Sequence, residues 1–409
     1  MRYLIYKILL TCILIFVIII NRWDVINMKT QIDMSELNNI PKNGYNVIST
    51  FSGCGGSSLG YKLSGYNVLC ALEFMPNAAE TYRLNFPNTP VLTKDIRETT
   101  GNDLLSIAKI KPFELDILDG SPPCCAFSVN GIREKGWGKV RGYSLTKQRV
   151  DDLFFEYIRI VKDLMPKVFV AENVKGLTMG TAKEVLNEVI EMLSDIGYIV
   201  KYKVLNAKDY LVPQTRERLI LIGVRKDLHI KPVFPKPICK IISTKDAIED
   251  LIDEECDVQI SDKQLDYLNK YFYPNIGDSA MAKIVKENDL HIYSCRYHRA
   301  RWELPFYTLM SDHSRVVHPI KNRLLSINEA KRLQTFPDDF KLVHSPTQNW
   351  ERIGRAVPPN LMKYVSKTIQ TEILDNIPKN YKITKEEFDE RYRNSDRKMG
   401  IQHGSYKLF

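Results

Sequence analysis

The sequence predicts an α/β protein with a doubly wound, parallel sheet, joined to a smaller and irregular domain. Three observations carry this. From residue 45 onward short apolar runs alternate with stretches of helical spacing, the rhythm of βαβ units. The first run leads straight into a glycine-rich turn. The rhythm then stops at Lys231, in the linker-like Lys-Pro-Val-Phe-Pro-Lys-Pro. A chain of 409 residues is long enough for two domains, and 44% hydrophobic with 26% charged residues marks an ordinary globular protein, without repeats or low-complexity tracts.

A leader comes first. Residues 8–20 are apolar apart from Thr11, with Arg2 and Lys7 before them and Arg22 after. As a helix this run would span about 20 Å, short of a bilayer core and similar to a signal-peptide core, but no small-x-small cleavage site follows. The expectation is a cytoplasmic protein whose working chain starts at Met28 or Met34. A marginal membrane anchor over residues 4–20, with Lys7 reaching back to the surface, is the alternative.

Residues 45–51 read as a strand and 52–60 as a glycine-rich turn into a helix, whose N–H groups can meet a ligand. A second strand over 67–72 ends at Glu73, followed by Phe74. In nucleoside-binding α/β folds an acid at that distance from the first glycine takes the ribose hydroxyls, and Phe74 could lie against a purine; Glu73 could otherwise be a solvated loop acid. A third strand over 91–96 carries Asp95 at its end, either an acceptor for an adenine amino group or a turn former. A fourth, over 113–118, stops abruptly at Asp119-Gly120-Ser121-Pro122-Pro123-Cys124-Cys125, because proline lacks an N–H and restricts the residue before it. That stiff loop presents Cys124 at the carboxyl end of a strand, where open α/β sheets bind ligands.

Residues 130–150 form a polar, basic segment with Trp137 and Tyr143, either a closing loop or a solvated one. Residues 151–164 have an apolar helical face that includes Leu153, and 168–171 read as a buried strand tipped by Glu172-Asn173-Val174, a candidate site acid. After an amphipathic helix at 181–196, residues 198–205 and 219–224 read as an antiparallel pair. Between them Gln214, Arg216 and Arg218 fall on one face, suited to a polar or anionic ligand. The stretch from Lys231 to about Pro319 mixes Arg296, His298, Arg299, Arg301, His313, Arg315 and His318 with Tyr293, Tyr297, Trp302, Phe306 and Tyr307, a pattern that fits nucleic-acid contact. Ser326 to Glu329 is a capping box, 352–359 a loop into a helix at 360–374, and the charged remainder reads as peripheral.

The net charge of +9 suits a polyanionic partner without demanding one. The eight cysteines, at 12, 54, 70, 124, 125, 239, 256 and 295, lack both a disulfide framework and paired zinc spacing, so reduced thiols and no metal are expected.

Over residues 45–363 the chain resembles the cytosine-C5 DNA methyltransferases, with that family's blocks in order: Phe-Ser-Gly-Cys-Gly-Gly at 51–56, Pro-Pro-Cys at 122–124, Glu-Asn-Val at 172–174, Gln-x-Arg-x-Arg at 214–218, Arg-Leu-Gln-Thr-Phe-Pro-Asp at 332–338 and Gly-x-Ala-Val-Pro-Pro at 354–359. The resemblance implies a Rossmann-like S-adenosylmethionine-dependent catalytic domain over 44–230, completed by 346–375, and a target-recognition domain over 231–345. Residues 1–40 would be an extension and 376–409 a charged tail. It implies Cys124 as nucleophile, with Glu172, Asn173, Arg216 and, second to it, Arg218 around the base. The cofactor would lie among Phe51, Gly53, Gly55, Gly56, Glu73, Phe74, Asp95, Ile96, Leu153 and Val357. It further implies duplex DNA as substrate, a flipped-out cytosine, a possible restriction endonuclease as partner, and a monomer. Three departures stand out: Cys125 replaces the usual Gln, Ser49-Thr50 replace an acid and a leucine, and Arg355 replaces an Asn. An RNA cytosine methyltransferase of the same fold and a silent DNA-binding relative are the alternatives; a nicotinamide oxidoreductase leaves Pro-Pro-Cys and Gln-x-Arg-x-Arg unexplained.

Overall fold

A computed structural model describes residues 33–123, 141–143, 146–148, 153–180, 182–256, 258–271, 274–277, 283–284, 287, 298–313 and 316–393. The expectations for the leader, for Cys124 and Cys125, for most of the basic segment and for Tyr293, Cys295, Arg296, Tyr297 and Arg315 lie outside these residues.

The main sheet has seven strands: β1 (Asn46–Thr50), β2 (Asn67–Leu72), β3 (Val91–Leu92), β4 (Ile117–Gly120), β5 (Val168–Val174), β6 (Tyr198–Asn206) and β7 (Glu217–Arg225). Their order is β3-β2-β1-β4-β5-β7-β6, and β7 runs antiparallel to both neighbours while the pairs from β3 to β5 are parallel. This is a Rossmann-like α/β fold, with the doubly wound reversal between β1 and β4.

Alternation along the strands builds a core on each face. Phe169, Ala171, Leu219 and Leu221 join the helices α3 (Gly101–Ala108), α4 (Leu153–Leu164) and α5 (Ala182–Ile196) on one side. Val168, Val170, Ile220 and Ile222 face the other, with α1 (Gly56–Leu63) and α10 (Pro359–Glu372). Between them in sequence lie α2 (Pro76–Asn85), α6 (Thr244–Ile248), α7 (Asp262–Tyr271), α8 (Ile327–Leu333) and α9 (Pro346–Arg355). The α1–α10 contact is close because a Cβ on Gly60 would stand 2.6 Å from both the Met362 Cβ and the Pro359 carbonyl oxygen. The chain therefore leaves the sheet layer after β7, builds a second lobe, and returns to it through α9 and α10.

That second lobe corrects one expectation. Arg299, Trp302, Phe306, His313 and His318 are buried, so they form its interior and not a nucleic-acid face. The Arg299 guanidinium donates to the carbonyls of His318 (3.0 Å) and Lys321 (2.7 Å), and His313 stacks on Trp350 at 4.1 Å. His318 faces Glu329 at 3.3 Å, and Arg323 pairs with the same carboxylate at 2.8 Å. Arg301 and Tyr307 keep more exposure.

The end of the chain is corrected too. The stretch expected to be peripheral buries Ile383 and Phe388 against the α3–α5 face, through α11 (Lys385–Phe388). The Phe388 ring lies 5.6 Å from that of Phe113 and fills the space a Cβ on Gly197 would take, at 2.4 Å. Phe388→Ala should cost about 3 kcal/mol of unfolding free energy in urea titrations. A loss under about 0.5 kcal/mol would return this segment to a surface role.

Candidate active site

The parallel strands end along one edge of the sheet, and because β7 runs the other way its first residues arrive at the same edge. Of the expected site residues that are described, Phe51, Gly53, Glu73, Glu172, Asn173 and Arg218 lie at or next to that edge.

At the end of β1 Phe51 has φ +52°, a left-handed conformation that is costly for a bulky side chain and typical of functional turns. Gly53, at φ +54°, would meet nothing within 4 Å if it carried a Cβ, so the backbone is open to a ligand at that point. Its N–H donates to the Glu73 Oε2 at 2.7 Å, and the Met75 N–H donates to Oε1 at 2.8 Å. Burial raises the proton affinity of Glu73, opposed by these N–H groups and by the Arg352 guanidinium. Glu73 is thus a built part of the turn and not a solvated acid.

The other two glycines serve packing. A Cβ on Gly55 would lie 2.4 Å from the Phe86 ring, and one on Gly56 would lie 2.3 Å from the Val357 carbonyl oxygen. Val357 is buried there, and Phe74 is half-buried beyond Glu73. Asp95 lies past a strand shorter than expected and starts a 3-10 turn: its carboxylate accepts the Arg97 N–H at 3.0 Å and pairs with the Arg97 guanidinium at 3.1 Å. Ile96 and Leu153 are buried in the α3–α5 core.

On the other side of β1, the Pro122 carbonyl at the edge of the described residues accepts from the Asn173 Nδ2 at 3.1 Å, while the Asn173 Oδ1 accepts the Val174 N–H at 2.8 Å. Asn173 therefore anchors the proline loop that leads to Cys124. Glu172 and Asn173 lie within β5 itself, which runs to Val174. The face alternation over 214–218 holds: Gln214 and Arg216 are buried, Thr215 and Glu217 exposed. The three inward side chains nevertheless do different things. Gln214 is consumed as a strut, donating to the Leu333 carbonyl (3.2 Å) and accepting the Leu309 N–H (2.9 Å). Arg216 donates to the Leu309 carbonyl at 3.0 Å, and its Nε has no partner among the described residues. Arg218 pairs with the Glu172 Oε1 at 2.9 Å. Burial and the like charge of Arg218 hold the Arg216 guanidinium well below its usual range, against the pull of Glu172.

Sequence reasoning gave Asp119 no role. It is fully buried at the end of β4, and its Oδ2 accepts the Ser57 hydroxyl at 2.7 Å and the Ser49 hydroxyl at 3.0 Å. Burial pushes this carboxyl up to about 7, with the Ser57, Ser49 and Tyr61 hydroxyls pulling it back and Glu172 adding to the rise. The available signal was the missing acid at 49, since Ser49 and Asp119 are direct register partners on neighbouring strands.

The arrangement sets the open backbone of Gly53 beside Glu73 and, on the other side of β1, a carboxylate–guanidinium pair next to an anchored loop. Such a pair can hold the hydrogen-bonding edge of a polar ring while a thiol approaches one face. Among the described residues no His, Cys, Asp and Glu cluster could hold a metal ion, and no helix is long and apolar enough to cross a membrane.

Comparison with known proteins gives the same picture. The family model of the C-5 cytosine-specific DNA methylases matches residues 45–371. The Type II methyltransferase M.Sau96I of Staphylococcus aureus is 32% identical over 378 residues, covering 85% of this chain and 80% of that protein. The Type II methyltransferase M1.HphI of Haemophilus parahaemolyticus is 33% identical over 338 residues, covering 79% and 86%. A crystal structure of a prophage-encoded E. coli protein, described as a DNA modification methyltransferase, superposes with a TM-score of 0.61 at 25% identity, over 81% of this chain and 100% of that one.

Two outcomes follow from the buried carboxyls. Glu73→Ala strands the Gly53 and Met75 N–H groups and should cost about 1–3 kcal/mol for each donor in urea unfolding, whereas Glu73→Gln, which keeps an acceptor, should cost less. Asp119 binds its proton more tightly folded than unfolded. Its ionisation therefore lowers stability, and the loss should develop as pH rises from about 4, the unfolded value, through about 7. Asp119→Asn should remove that part of the pH dependence of the melting temperature; an unchanged profile would assign the slope elsewhere.

Proposed function

The chain belongs to the C-5 cytosine-specific DNA methylase family and is a DNA cytosine-5 methyltransferase, and from that premise we propose that it methylates a flipped-out cytosine in a specific duplex sequence through a covalent bond from Cys124. The observation that carries the reading is the Glu172–Arg218 pair at 2.9 Å, standing beside the proline loop that Asn173 anchors.

Carbon 5 of cytosine is too poor a nucleophile to take a methyl group unaided. The Cys124 thiolate adds to carbon 6, and the ring's double-bond electrons move to carbon 5. A free thiol has a pKa of about 8.5, so the site has to favour the thiolate, with loop N–H groups and the nearby arginines as its means. Glu172 shares a proton with N3 of the bound base and so offsets the charge that builds there. Arg218, already on Glu172, is the first choice to hold O2, with Arg216 behind it. S-adenosylmethionine, when bound, supplies a methyl group on a positively charged sulfur. Gly53 would give it open backbone, and Glu73, held by the Gly53 and Met75 N–H groups, would take its ribose hydroxyls. Phe51, Phe74, Asp95, Ile96, Leu153 and Val357 complete the expected surround, while Gly55 and Gly56 hold the turn's shape. Once carbon 5 carries the methyl group, its proton passes to a base, the sulfur–carbon 6 bond breaks and Cys124 leaves as thiolate.

The target base has to leave the duplex, because neither face of its ring is reachable in the stack. Residues 231–345 would read the flanking sequence, and 44–230 with 346–375 would carry the chemistry. A place as the modification enzyme of a restriction-modification system, beside a cognate endonuclease, accords with the Type II naming of the relatives, and a cytoplasmic monomer is proposed with it.

Cys124→Ser should abolish methyl incorporation into duplex DNA, and peptide mapping of the trapped protein–DNA adduct should place it on Cys124 and not Cys125. Full activity of the serine variant, or incorporation into transfer RNA alone, would overturn the assignment. Methylation sequencing of DNA from expressing cells should show 5-methylcytosine at one recurring sequence.

A further inference from the structure

The reaction above gives Asp119 no task, yet it is buried at the sheet edge and held from two neighbouring elements. Its carboxylate takes one hydroxyl from β1 (Ser49) and one from the first turn of α1 (Ser57), the helix that follows the glycine turn. Its main-chain carbonyl takes a third, from the Thr50 Oγ1 at 3.0 Å. The next residue has no latitude: a Cβ on Gly120 would meet the Tyr157 ring at 2.4 Å and the Thr50 Oγ1 at 2.7 Å. Two residues further on, Pro122 is held by Asn173. The strand that delivers the nucleophile loop and the turn that borders the donor pocket thus meet at one carboxylate. A buried carboxylate is costly unless it is well hydrogen-bonded, so its presence at a seam that two small apolar residues could fill calls for a role.

We propose that Asp119 is a positioning residue that locks the glycine turn on β1–α1 to the proline loop on β4, and so fixes the separation between the methyl donor and Cys124. This rests on the reading of those two loops given above. The lock is strongest with the carboxylate ionised, because both hydroxyls then donate to a charged acceptor. The groups that face it are Ser49 from β1, Ser57 and Tyr61 from α1, Tyr82 from α2, Tyr157 from α4 and Glu172 from β5. Burial keeps the three tyrosines protonated, and Glu172 disfavours a second negative charge. The Asp119 Oδ1 and the Tyr61 hydroxyl are both buried, and neither makes a well-formed hydrogen bond among the described residues, so Oδ1 is the less satisfied oxygen and the one that takes the proton. Lowering the pH through about 7 then weakens the lock without unfolding the protein.

The test compares D119N, D119S and the exchange variant S49D/D119S with wild type and C124S. The exchange keeps one carboxylate and one hydroxyl at a register pair of neighbouring strands. Single-turnover and steady-state methylation are measured from about pH 6 to 9, with thermal melting as the check on folding. In the D119N and D119S enzymes kcat should fall about tenfold or more, with KM for DNA and for S-adenosylmethionine within about threefold of wild type, the split expected of misplaced reactants. The acid limb of the wild-type kcat profile near pH 7 should be absent from D119N. S49D/D119S should recover most of the lost rate, and it carries the test if D119S does not fold. Wild-type kcat with an unchanged acid limb in D119N, or an exchange variant no better than D119S, would overturn the lock. An active C124S would instead overturn the nucleophile assignment, so the two failures read out separately.

Discussion

The closeness of α1 to α10 is the constraint on which the sheet edge depends. Two glycines on one face of α1, at 56 and 60, let the main chain of residues 357–363 come within van der Waals reach. Hydrogen bonds then fasten the contact: Ser64 Oγ to the Lys363 carbonyl at 2.9 Å, and the Tyr66 hydroxyl to the Ser366 carbonyl at 2.9 Å. Since α1 begins at the glycine turn, whatever fixes α1 also fixes the turn, its hold on Glu73 through Gly53, and the Ser57 hydroxyl that meets Asp119. A side chain at 60 would tilt all of these together.

Much of the catalytic lobe was legible because buried parallel strands are short apolar runs, and because glycine and proline mark where they stop. The spacing from the glycine turn to Glu73 survived translation into three dimensions. The separate tasks of Gln214, Arg216 and Arg218 did not. Period-two alternation gives a shared face, but which arginine meets Glu172 depends on the β5–β7 register and on the Leu309 main chain, which composition does not encode. Asp119 was illegible for a related reason: an acid before glycine reads as a turn residue until the neighbouring strand supplies Ser49.

The second lobe shows the opposite failure. Basic residues among aromatics suggested a surface for a polyanion, but Arg299, His318 and Arg323 answer carbonyls and a carboxylate inside the lobe. Arg225 and Asp227 do the same in the catalytic lobe, paired at 2.8 Å almost without exposure. Such buried pairs add nothing to the net charge of +9, and the field felt by DNA is set by fewer groups than the count of basic residues suggests.

The α1–α10 contact also has a consequence for synthesis. The partners of α1 emerge 299 residues after it. At translation rates of roughly 5–20 residues per second, the glycine-bearing face of α1 waits on the order of 15–60 s for its cover. During that interval β1, β2 and β4 can pair, while Tyr61 and Tyr66 stand without the aliphatic residues of α10. The nascent chain is thus a half-closed sheet with an apolar face exposed, a natural client for a ribosome-associated chaperone, and a helix made 299 residues later completes the first lobe begun.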